Sequence, residues 1–293
     1  MTRIPQTEAA NPRTATIDAL STRQLVTVLA HEQRRAADAI AARSEQLAEI
    51  VDALVACVRA GGRLHYVGAG TSGRLGVLDA SEMPPTFGTP PHLVCAHIAG
   101  GDAALRSAVE GAEDDRAAGA AAMRGHIAPT DALVALSASG GAPYAIAAVE
   151  AARAAGAFTV AIVNAMPSPL GAAAERVLWL ETGPEPIAGS TRMVAGTAQK
   201  IALNTLSTAI MVRLGKVHGN LMVDVVASNQ KLRERALGLV QSIAGVDRER
   251  ARQLLDGADG RVKVAVVMAF RGISSDAASA LLDARGGVLR EVL

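Results

Sequence analysis

The segment RLHYVGAGTSGRLG, residues 63–76, decides the fold class of this chain. Its first five residues form an apolar run that predicts a short strand, and Gly68 ends that run. Gly70 and Gly73 then allow a tight turn into a segment of helical composition. A strand, a glycine turn and a helix in direct succession are typical of the βαβ units that build a parallel sheet.

Four more short apolar segments are likewise predicted to be strands that end in turns. They span residues 93–98, 132–136, 158–163 and 176–180, and Ala-rich segments of helical length separate most of them. Short apolar strands alternating with helices indicate a sheet that is buried on both faces. The sequence therefore predicts an α/β fold with a five-stranded parallel sheet flanked by helices, in a doubly wound arrangement.

Outside these segments, apolar residues either recur at helical spacing or show no regular spacing. We expect an extended polar arm at 1–21, two helices within 22–60, a long helix at 191–214, a helix at 224–244, and two or three short helices after it. The predicted organisation is an N-terminal arm with helices at 1–54, a ligand-binding α/β domain at 55–218 and a helical C-terminal region with a small subdomain at 219–293.

Composition excludes several function classes. The 293 residues contain 29 basic and 28 acidic side chains, and aromatic residues make up 2%. A balanced charge argues against duplex DNA binding, and scarce aromatic residues argue against base stacking on single strands. Two cysteines and six unclustered histidines predict neither a disulfide scaffold nor a metal site. Without an apolar leader or an uninterrupted apolar span, we expect no membrane segment and a cytoplasmic location.

The turn GAGTSG, residues 68–73, matches the G-x-G-x-x-G pattern of dinucleotide-binding proteins. That function needs an acidic residue at the end of the second strand, and the nearest, Asp102, lies 29 positions after Gly73. The sequence favours a loop in which Gly70, Thr71, Ser72 and Gly73 hold a phosphate or sugar hydroxyls at a helix N-terminus. A turn that needs glycine only for its geometry is the structural alternative.

A second polar loop, SASGG, follows the third predicted strand. Ser137, Ser139 and Gly140 provide two hydroxyls and a flexible backbone beside a helix start, whereas an ordinary helix cap needs only one serine. Two such loops at equivalent strand ends, without a P-loop lysine, indicate a phosphorylated small molecule as the ligand.

Three further segments carry candidate residues. Glu82 lies just before Pro84-Pro85, where we expect the helix to end, and Glu113 lies in an acidic run. Each glutamate is either part of a solvated acidic surface or one member of a general acid and base pair. The segment GPEPIAGSTRM, residues 183–193, offers Glu185, Ser190 and Thr191. Arg192 in the first turn of the expected helix indicates a nearby anion or is simply exposed.

These motifs together resemble one known family. The runs GAGTSGRLG, LDASE, IAGG, VEGAED, GSTRM and GNLMVDV are similar to those of the N-acetylmuramic acid 6-phosphate etherases, and the similarity extends over nearly the whole chain. That family has a sugar isomerase (SIS) domain, and the resemblance includes the glucokinase regulatory protein. It implies cleavage of the lactyl ether of N-acetylmuramic acid 6-phosphate to N-acetylglucosamine 6-phosphate and D-lactate in cell-wall amino-sugar recovery.

The resemblance also implies roles for particular residues. Glu82 is the expected acid and Glu113 the expected base, and Ser137, Ser139 and Gly140 are the expected phosphate loop. The family's loop ends in Thr, whereas this chain has Ala142. The resemblance further implies a homodimer, a phosphosugar substrate, and neither cofactor nor metal.

Two other functions remain open from the sequence. A non-catalytic sugar-phosphate sensor would keep the hydroxyl-bearing loops and would not need either glutamate. A nucleotide-dependent oxidoreductase would use the glycine turn, but the acidic residue that it requires at the second strand is missing.

Overall fold

The structure is a computed structural model that describes residues 5–224 and 230–293. This part of the chain divides into two compact units. The first contains the described residues up to Ala80 together with His92–Ser207, and the second contains Ser81–Pro91 with the described residues of Thr208–Leu293. The domain boundaries expected after residues 54 and 218 stay predictions.

The first unit is built on five parallel strands in the order β2-β1-β3-β4-β5. The strands are β1 Leu64–Gly68, β2 Val94–Ile98, β3 Ala132–Ser137, β4 Phe158–Val163 and β5 Arg176–Trp179. All five lie where the sequence predicted strands, which confirms the α/β fold class. Every residue of the central strand β3 is buried, as expected for a parallel sheet covered on both faces.

The strand order reverses between β1 and β3, which pair with Gly68 opposite Leu136. From β1 the chain continues to β2 on one side, whereas β3, β4 and β5 extend on the other. The loops that leave β1 and β3 therefore diverge at the carboxyl edge of the sheet. Crevices of this kind are where open α/β sheets bind ligands.

Helices surround the sheet and connect its strands. They are α1 Thr22–Glu32, α2 Arg34–Ala41, α3 Ser44–Arg59, α4 Gly70–Phe87, α5 Ala103–Arg106, α6 Arg116–Met123, α7 Pro143–Ala154, α8 Pro169–Ala173 and α9 Val194–Arg213. Three helices replace the two expected within 22–60. Gln33 between the first two keeps helical dihedral angles, so that break is local and leaves the apolar periodicity intact. α9 begins at Val194, so the exposed Arg192 precedes the helix.

The N-terminal segment is not the extended arm that its polar composition predicted. It forms three short 3-10 turns, at Gln6–Glu8, Pro12–Thr14 and Ile17–Ala19. Its polar side chains Thr7, Asn11 and Thr14 are buried. The prediction was wrong because side-chain hydrogen bonds of Asn11 and Thr14, and the backbone carbonyl of Thr7, reach residues far away in the sequence.

α4 continues past the point where proline was expected to stop it. Pro84 and Pro85 lie inside the helix, which ends at Phe87. Each proline removes one backbone N–H donor, which ordinarily destabilises a helix. Met83 and Phe87 are 4% and 6% exposed, and burial of these two large side chains stabilises the final turn.

The second unit is mainly helical, as predicted. It contains α10 Gln230–Ala244, α11 Arg248–Gly257, α12 Val262–Arg271, α13 Ser275–Asp283 and a hairpin of β6 Val217–His218 and β7 Leu221–Met222. The hairpin was not predicted because two-residue strands are too short to show alternation. The helix predicted at 224–244 is present at 230–244, and its residues 225–229 lie outside the described chain.

No single helix in the described residues is both long and apolar enough to cross a membrane. Among these residues, only α12 and α13 taken together reach that length and composition, and the chain bends by 107° between them. Both helices contribute buried side chains to the core of the second unit, among them Val266 and Leu282.

Candidate functional site

The turn after β1 places four predicted binding residues at the carboxyl edge of the sheet. A Cβ added to Gly73 would lie 2.6 Å from the Gly68 carbonyl oxygen, so only glycine lets α4 start so close to the strand. Gly70 has φ +52°, a conformation that favours glycine. The two glycines shape the turn, and Thr71 and Ser72 supply its polar side chains.

Ser72 belongs to a buried hydrogen-bond network at this edge. Its hydroxyl donates to Gln199 Oε1 at 2.8 Å, Gln199 Nε2 donates to Asn164 Oδ1 at 3.0 Å, and Asn164 Nδ2 donates to the Leu180 carbonyl at 3.1 Å. The network joins the ends of β1, β4 and β5 to α9. Sequence analysis missed Asn164 and Gln199, although the position of Asn164 directly after β4 was a usable signal.

Ser137, the last residue of β3, and Ser139, in the loop after it, each accept a hydrogen bond from a nearby backbone amide. Ser137 Oγ accepts from the Gly140 amide at 3.1 Å, and Ser139 Oγ accepts from the Gly141 amide at 3.2 Å. A hydroxyl that accepts one hydrogen bond can still donate its own hydrogen. Both serine hydroxyls can therefore donate a hydrogen bond to a phosphate oxygen.

Gly140 is packed directly against the loop after β4. It has φ +67°, and a Cβ added to it would lie 2.4 Å from Ser168 Cβ. Its carbonyl oxygen accepts from the Leu170 amide at 2.9 Å. A glycine is required here for both backbone conformation and space, so the shape of the serine loop depends on the loop after β4.

Helix α7 begins directly after the serine loop, with Pro143 in its first turn and Ala142 at its N-cap. Ala142 has no side-chain acceptor to offer the amides of that turn. Uncapped amides at a helix N-terminus, together with the helix dipole, stabilise a bound anion. Replacement of the family's threonine by Ala142 thus removes a hydroxyl and leaves backbone donors for a ligand.

Glu185 is completely buried in the loop after β5. Its two carboxylate oxygens accept from the amides of Val194 at 2.8 Å and Ala195 at 2.9 Å, at the N-terminus of α9. Burial raises the pKa of Glu185. Both oxygens are engaged by the helix, so this side chain fixes the turn that carries Ser190 and Thr191.

Ser190 and Thr191 are half-buried and lie next to the first turn. A Cβ added to Gly196 would lie 3.2 Å from the Thr191 carbonyl oxygen and 3.3 Å from Thr71 Cγ2. The structure therefore brings together candidate residues that are more than 100 positions apart in sequence.

The N-terminal segment holds the loop after β5 in place. Thr14 Oγ1 donates to the Pro186 carbonyl at 2.8 Å, and the Gly189 amide donates to the Thr7 carbonyl at 3.1 Å. These bonds fix the loop on both sides of Ile187. The segment 5–14 is therefore part of the support of the candidate site, which its polar composition did not indicate.

Glu32 anchors this N-terminal segment. Its side chain is 6% exposed and accepts from Arg13 at 2.9 Å, Asn11 at 2.9 Å and Arg35 at 2.6 Å. The hydrogen bond from Arg13 is the main reason that the pKa of Glu32 falls to about 2. A buried carboxylate of this kind stays ionised near neutral pH and stabilises both guanidinium groups.

The two candidate catalytic glutamates are both exposed. Glu113 lies in the first unit, in the 3-10 turn Ala112–Asp114, which follows Gly111 at φ +71° and packs against α7. Glu82 lies on the part of α4 that belongs to the second unit. Each carboxyl group is accessible to a ligand from solvent.

The two histidines in the strands, His65 and His97, pack against each other. His65 Nδ1 lies 3.1 Å from His97 Nε2, with the rings stacked at 5.4 Å. In the described part of the chain, no group of three His, Cys, Asp or Glu side chains is arranged to hold a metal ion.

The chain matches a family model and several relatives along its length. The model for the glucokinase regulatory protein N-terminal SIS domain matches residues 46–153, which include β1, β2 and β3. The N-acetylmuramic acid 6-phosphate etherase of Deinococcus radiodurans is 50% identical over 100% of this chain and 96% of its own. The enzyme of the same name from Pectobacterium atrosepticum is 49% identical, covering 98% and 95%.

Solved structures show the same fold at low identity. A phosphoheptose isomerase from Francisella tularensis has a TM-score of 0.52 and 18% identity over 65% of this chain and 98% of that chain. An E. coli CFT073 protein in complex with A5P has a TM-score of 0.51 and 15% identity over 69% and 97%. These likenesses confirm the fold of the first unit.

Proposed function

The chain belongs to the N-acetylmuramic acid 6-phosphate etherase family, and from this premise we propose how its residues perform the reaction. Identity of about half over essentially the full length of two relatives carries the assignment. The chain is a carbon–oxygen lyase that cleaves the D-lactyl ether of N-acetylmuramic acid 6-phosphate. The products are N-acetylglucosamine 6-phosphate and D-lactate.

The 6-phosphate is bound, in this proposal, by the loop after β3. The hydroxyls of Ser137 and Ser139, the Gly140 backbone and the first turn of α7 supply its hydrogen-bond donors. The crevice at the strand reversal and the uncapped helix N-terminus support this placement. These serine hydroxyls and backbone amides replace the hydrogen bond that the family's threonine would donate at position 142.

The sugar is held by the turn after β1 and the turn before α9. Gly70, Thr71, Ser72 and Gly73 form one side, and Ser190 and Thr191 form the other. The packing of Thr71 beside Gly196 supports a common site for these two turns. Glu185 enters the proposal as a positioning residue, because its carboxylate oxygens are engaged by α9.

The bond cleavage needs two carboxyl groups in opposite protonation states. Opening of the sugar ring gives a C1 aldehyde, which acidifies the C2 proton, and Glu113 removes that proton. Glu82 in its protonated form donates to the ether oxygen as the C3–O bond breaks and D-lactate leaves. Water then adds to the α,β-unsaturated aldehyde, so no net oxidation or reduction occurs.

Release of D-lactate tests this function directly. Purified protein should release one D-lactate per molecule of N-acetylmuramic acid 6-phosphate and none from the unphosphorylated sugar. Equal turnover of both sugars would contradict the phosphate site. Binding of the phosphosugar without turnover would instead identify a sugar-phosphate sensor, the second candidate function, which the hydroxyl-bearing loops alone would allow.

We also propose that the chain works as a homodimer in the cytoplasm. Large apolar side chains of the first unit are exposed on α4, on α5 and on the loops that follow α5, β4 and β5; they are Leu78, Leu105, Val109, Met166 and Ile187. These exposed side chains are available for burial against a second copy of the chain. A monomeric mass by light scattering at micromolar concentration, with full activity, would contradict the dimer.

A further inference from the structure

The second unit contains a cavity of about 1010 Å³ that has no part in the reaction described above. Its volume is at the upper end of the range that small-molecule sites occupy. Much of its wall is apolar and comes from the hairpin region, α10, α11, α12 and α13; the residues are Val223, Leu237, Leu255, Val264 and Leu282.

Two lysines and one aspartate form the polar floor of this cavity. Lys216 Nζ and Lys263 Nζ lie 2.9 and 2.8 Å from the same oxygen, Asp224 Oδ2. The three side chains are 23%, 10% and 23% exposed. In the ion pairs that the described residues form at this floor, two ammonium groups share one carboxylate, so the three side chains together carry one net positive charge.

The amino-acid choice at this floor is unusual for this chain. Of its 29 basic residues only four are lysines, at 200, 216, 231 and 263. Two of the four therefore converge on one carboxylate oxygen. An ammonium is a compact point charge with three donors that can turn toward a ligand, unlike the fixed fork of a guanidinium.

The donors of the floor are only partly used. Lys263 Nζ donates to Asp224 and to the Gly287 carbonyl at 2.8 Å, which takes two of its three N–H groups in the described structure. Desolvation lowers the pKa of Lys263, and a bound anion would relieve that penalty. The unused donors and the excess charge both point to a negatively charged occupant.

The exposed rim of the cavity limits the size of that occupant. The rim carries charges of both signs, from Arg233, Arg252, Arg261, Glu234, Asp256, Asp259 and Asp283. Arg261 is engaged by two serines of α13, and Arg252 by Glu249. The rim acids repel an extended polyanion, so a compact anion that reaches the floor fits best.

We propose that this cavity binds a small molecule through a phosphate or carboxylate group that contacts Lys216 and Lys263. The oxygens of the bound anion accept hydrogen bonds from both ammonium groups, and its negative charge balances the net positive charge of the floor. The apolar wall accommodates the remainder of the ligand. This site is separate from the proposed phosphate loop after β3 and does not depend on etherase activity.

The small number of lysines makes a direct test possible in the full-length protein. The Lys side chains are labelled with ¹³C, and their ε-CH₂ signals are assigned with Lys→Arg variants. Inorganic phosphate and sodium D-lactate are then titrated separately at constant ionic strength. We expect saturable shifts at Lys216 and Lys263 and none at Lys200, and the more effective anion identifies the ligand class.

A pair of matched variants completes the test. Lys216→Met leaves the Asp224–Lys263 pair neutral and should weaken anion binding at least tenfold, whereas Lys200→Met, in the first unit, should leave binding unchanged. Uniform, unsaturable shifts at all lysines would overturn the proposal. Unchanged anion affinity in a folded Lys216→Met protein would overturn it as well. If Lys216→Met does not fold, the wild-type titration and Lys216→Arg, which keeps the charge and should bind within about threefold, decide the question.

Discussion

The Ser72 hydroxyl and the Gln199 amide oxygen lie 2.8 Å apart in a buried hydrogen bond that ties the turn after β1 to α9. Gln199 also donates to Asn164, so one side chain connects the two halves of the carboxyl edge. The proposed sugar-binding turn is therefore held by a residue that does not itself reach the crevice.

Gln199→Leu should destabilise the protein and reduce activity together. The substitution leaves the buried polar groups of Ser72 and Asn164 unsatisfied, at about 1–3 kcal/mol each. We expect a lower free energy of unfolding in urea and a reduced kcat/KM. Ser139→Ala provides the contrast, because its half-exposed hydroxyl should affect KM for the phosphosugar and hardly change stability.

Gly140→Ala should disrupt the proposed phosphate loop. The added methyl group would meet Ser168 at 2.4 Å, and the alanine would keep a left-handed backbone conformation; each effect costs about 1–3 kcal/mol. KM for the phosphosugar should rise at least tenfold. Gly141→Ala is the matched control, since its nearest neighbour would be Ser139 Oγ at 3.5 Å. Equal effects of the two substitutions would argue against the packing role of Gly140.

The two glutamates should differ in their effect on hydrogen exchange at C2. Glu113→Gln should abolish both D-lactate release and exchange of the C2 proton with solvent deuterium, because no base remains. Glu82→Gln should abolish D-lactate release and retain C2 exchange, because proton removal precedes the acid step. Each loss of D-lactate release should reach about 10²–10⁴-fold.

Both glutamine variants should still bind the phosphosugar, which calorimetry can check. The opposite exchange pattern would interchange the acid and base roles. Full D-lactate release by either variant would remove that residue from the mechanism.

Thr14→Val should lower activity from outside the candidate site. The substitution keeps the side-chain shape and removes the hydrogen bond to the Pro186 carbonyl, which positions the loop carrying Ser190 and Thr191. We expect a stability loss of about 1–2 kcal/mol and a reduced kcat/KM. Thr27→Val on the exposed face of α1 should change neither quantity by a comparable amount.

The His65–His97 pair should make the protein acid-sensitive. Burial lowers the pKa of His97 to about 4 and also lowers the pKa of His65, with Asp131, Arg63 and His126 as the charged or titratable neighbours. Histidine in the unfolded chain has a pKa of about 6.5. The stabilisation is therefore complete above pH 6.5 and is lost as the pH falls toward 4.

Urea unfolding at pH 7.5 and pH 4.5 measures this dependence. His97→Gln should reduce the loss of stability between the two pH values by about 2 kcal/mol. His31→Gln, at an exposed position on α1, should leave the loss unchanged. An identical pH dependence in wild type and His97→Gln would refute the role of the pair.

The sequence by itself determined the five strands, their parallel arrangement and the hydroxyl-bearing loops at their ends. Apolar runs, glycine turns and serine pairs are local features, and the sheet topology places the ends of parallel strands at one edge. The same features located Ser137, Ser139, Thr71 and Ser72.

Only the tertiary structure showed which of the candidate polar residues are engaged by the protein itself. Glu185 reads as a site residue in the sequence, yet its oxygens bind the amides of α9. Asn164 and Gln199 escaped notice because their partners are 16 to 127 positions away. Burial and hydrogen bonding depend on such long-range neighbours, whereas periodicity and turn chemistry depend on residues that are adjacent in the chain.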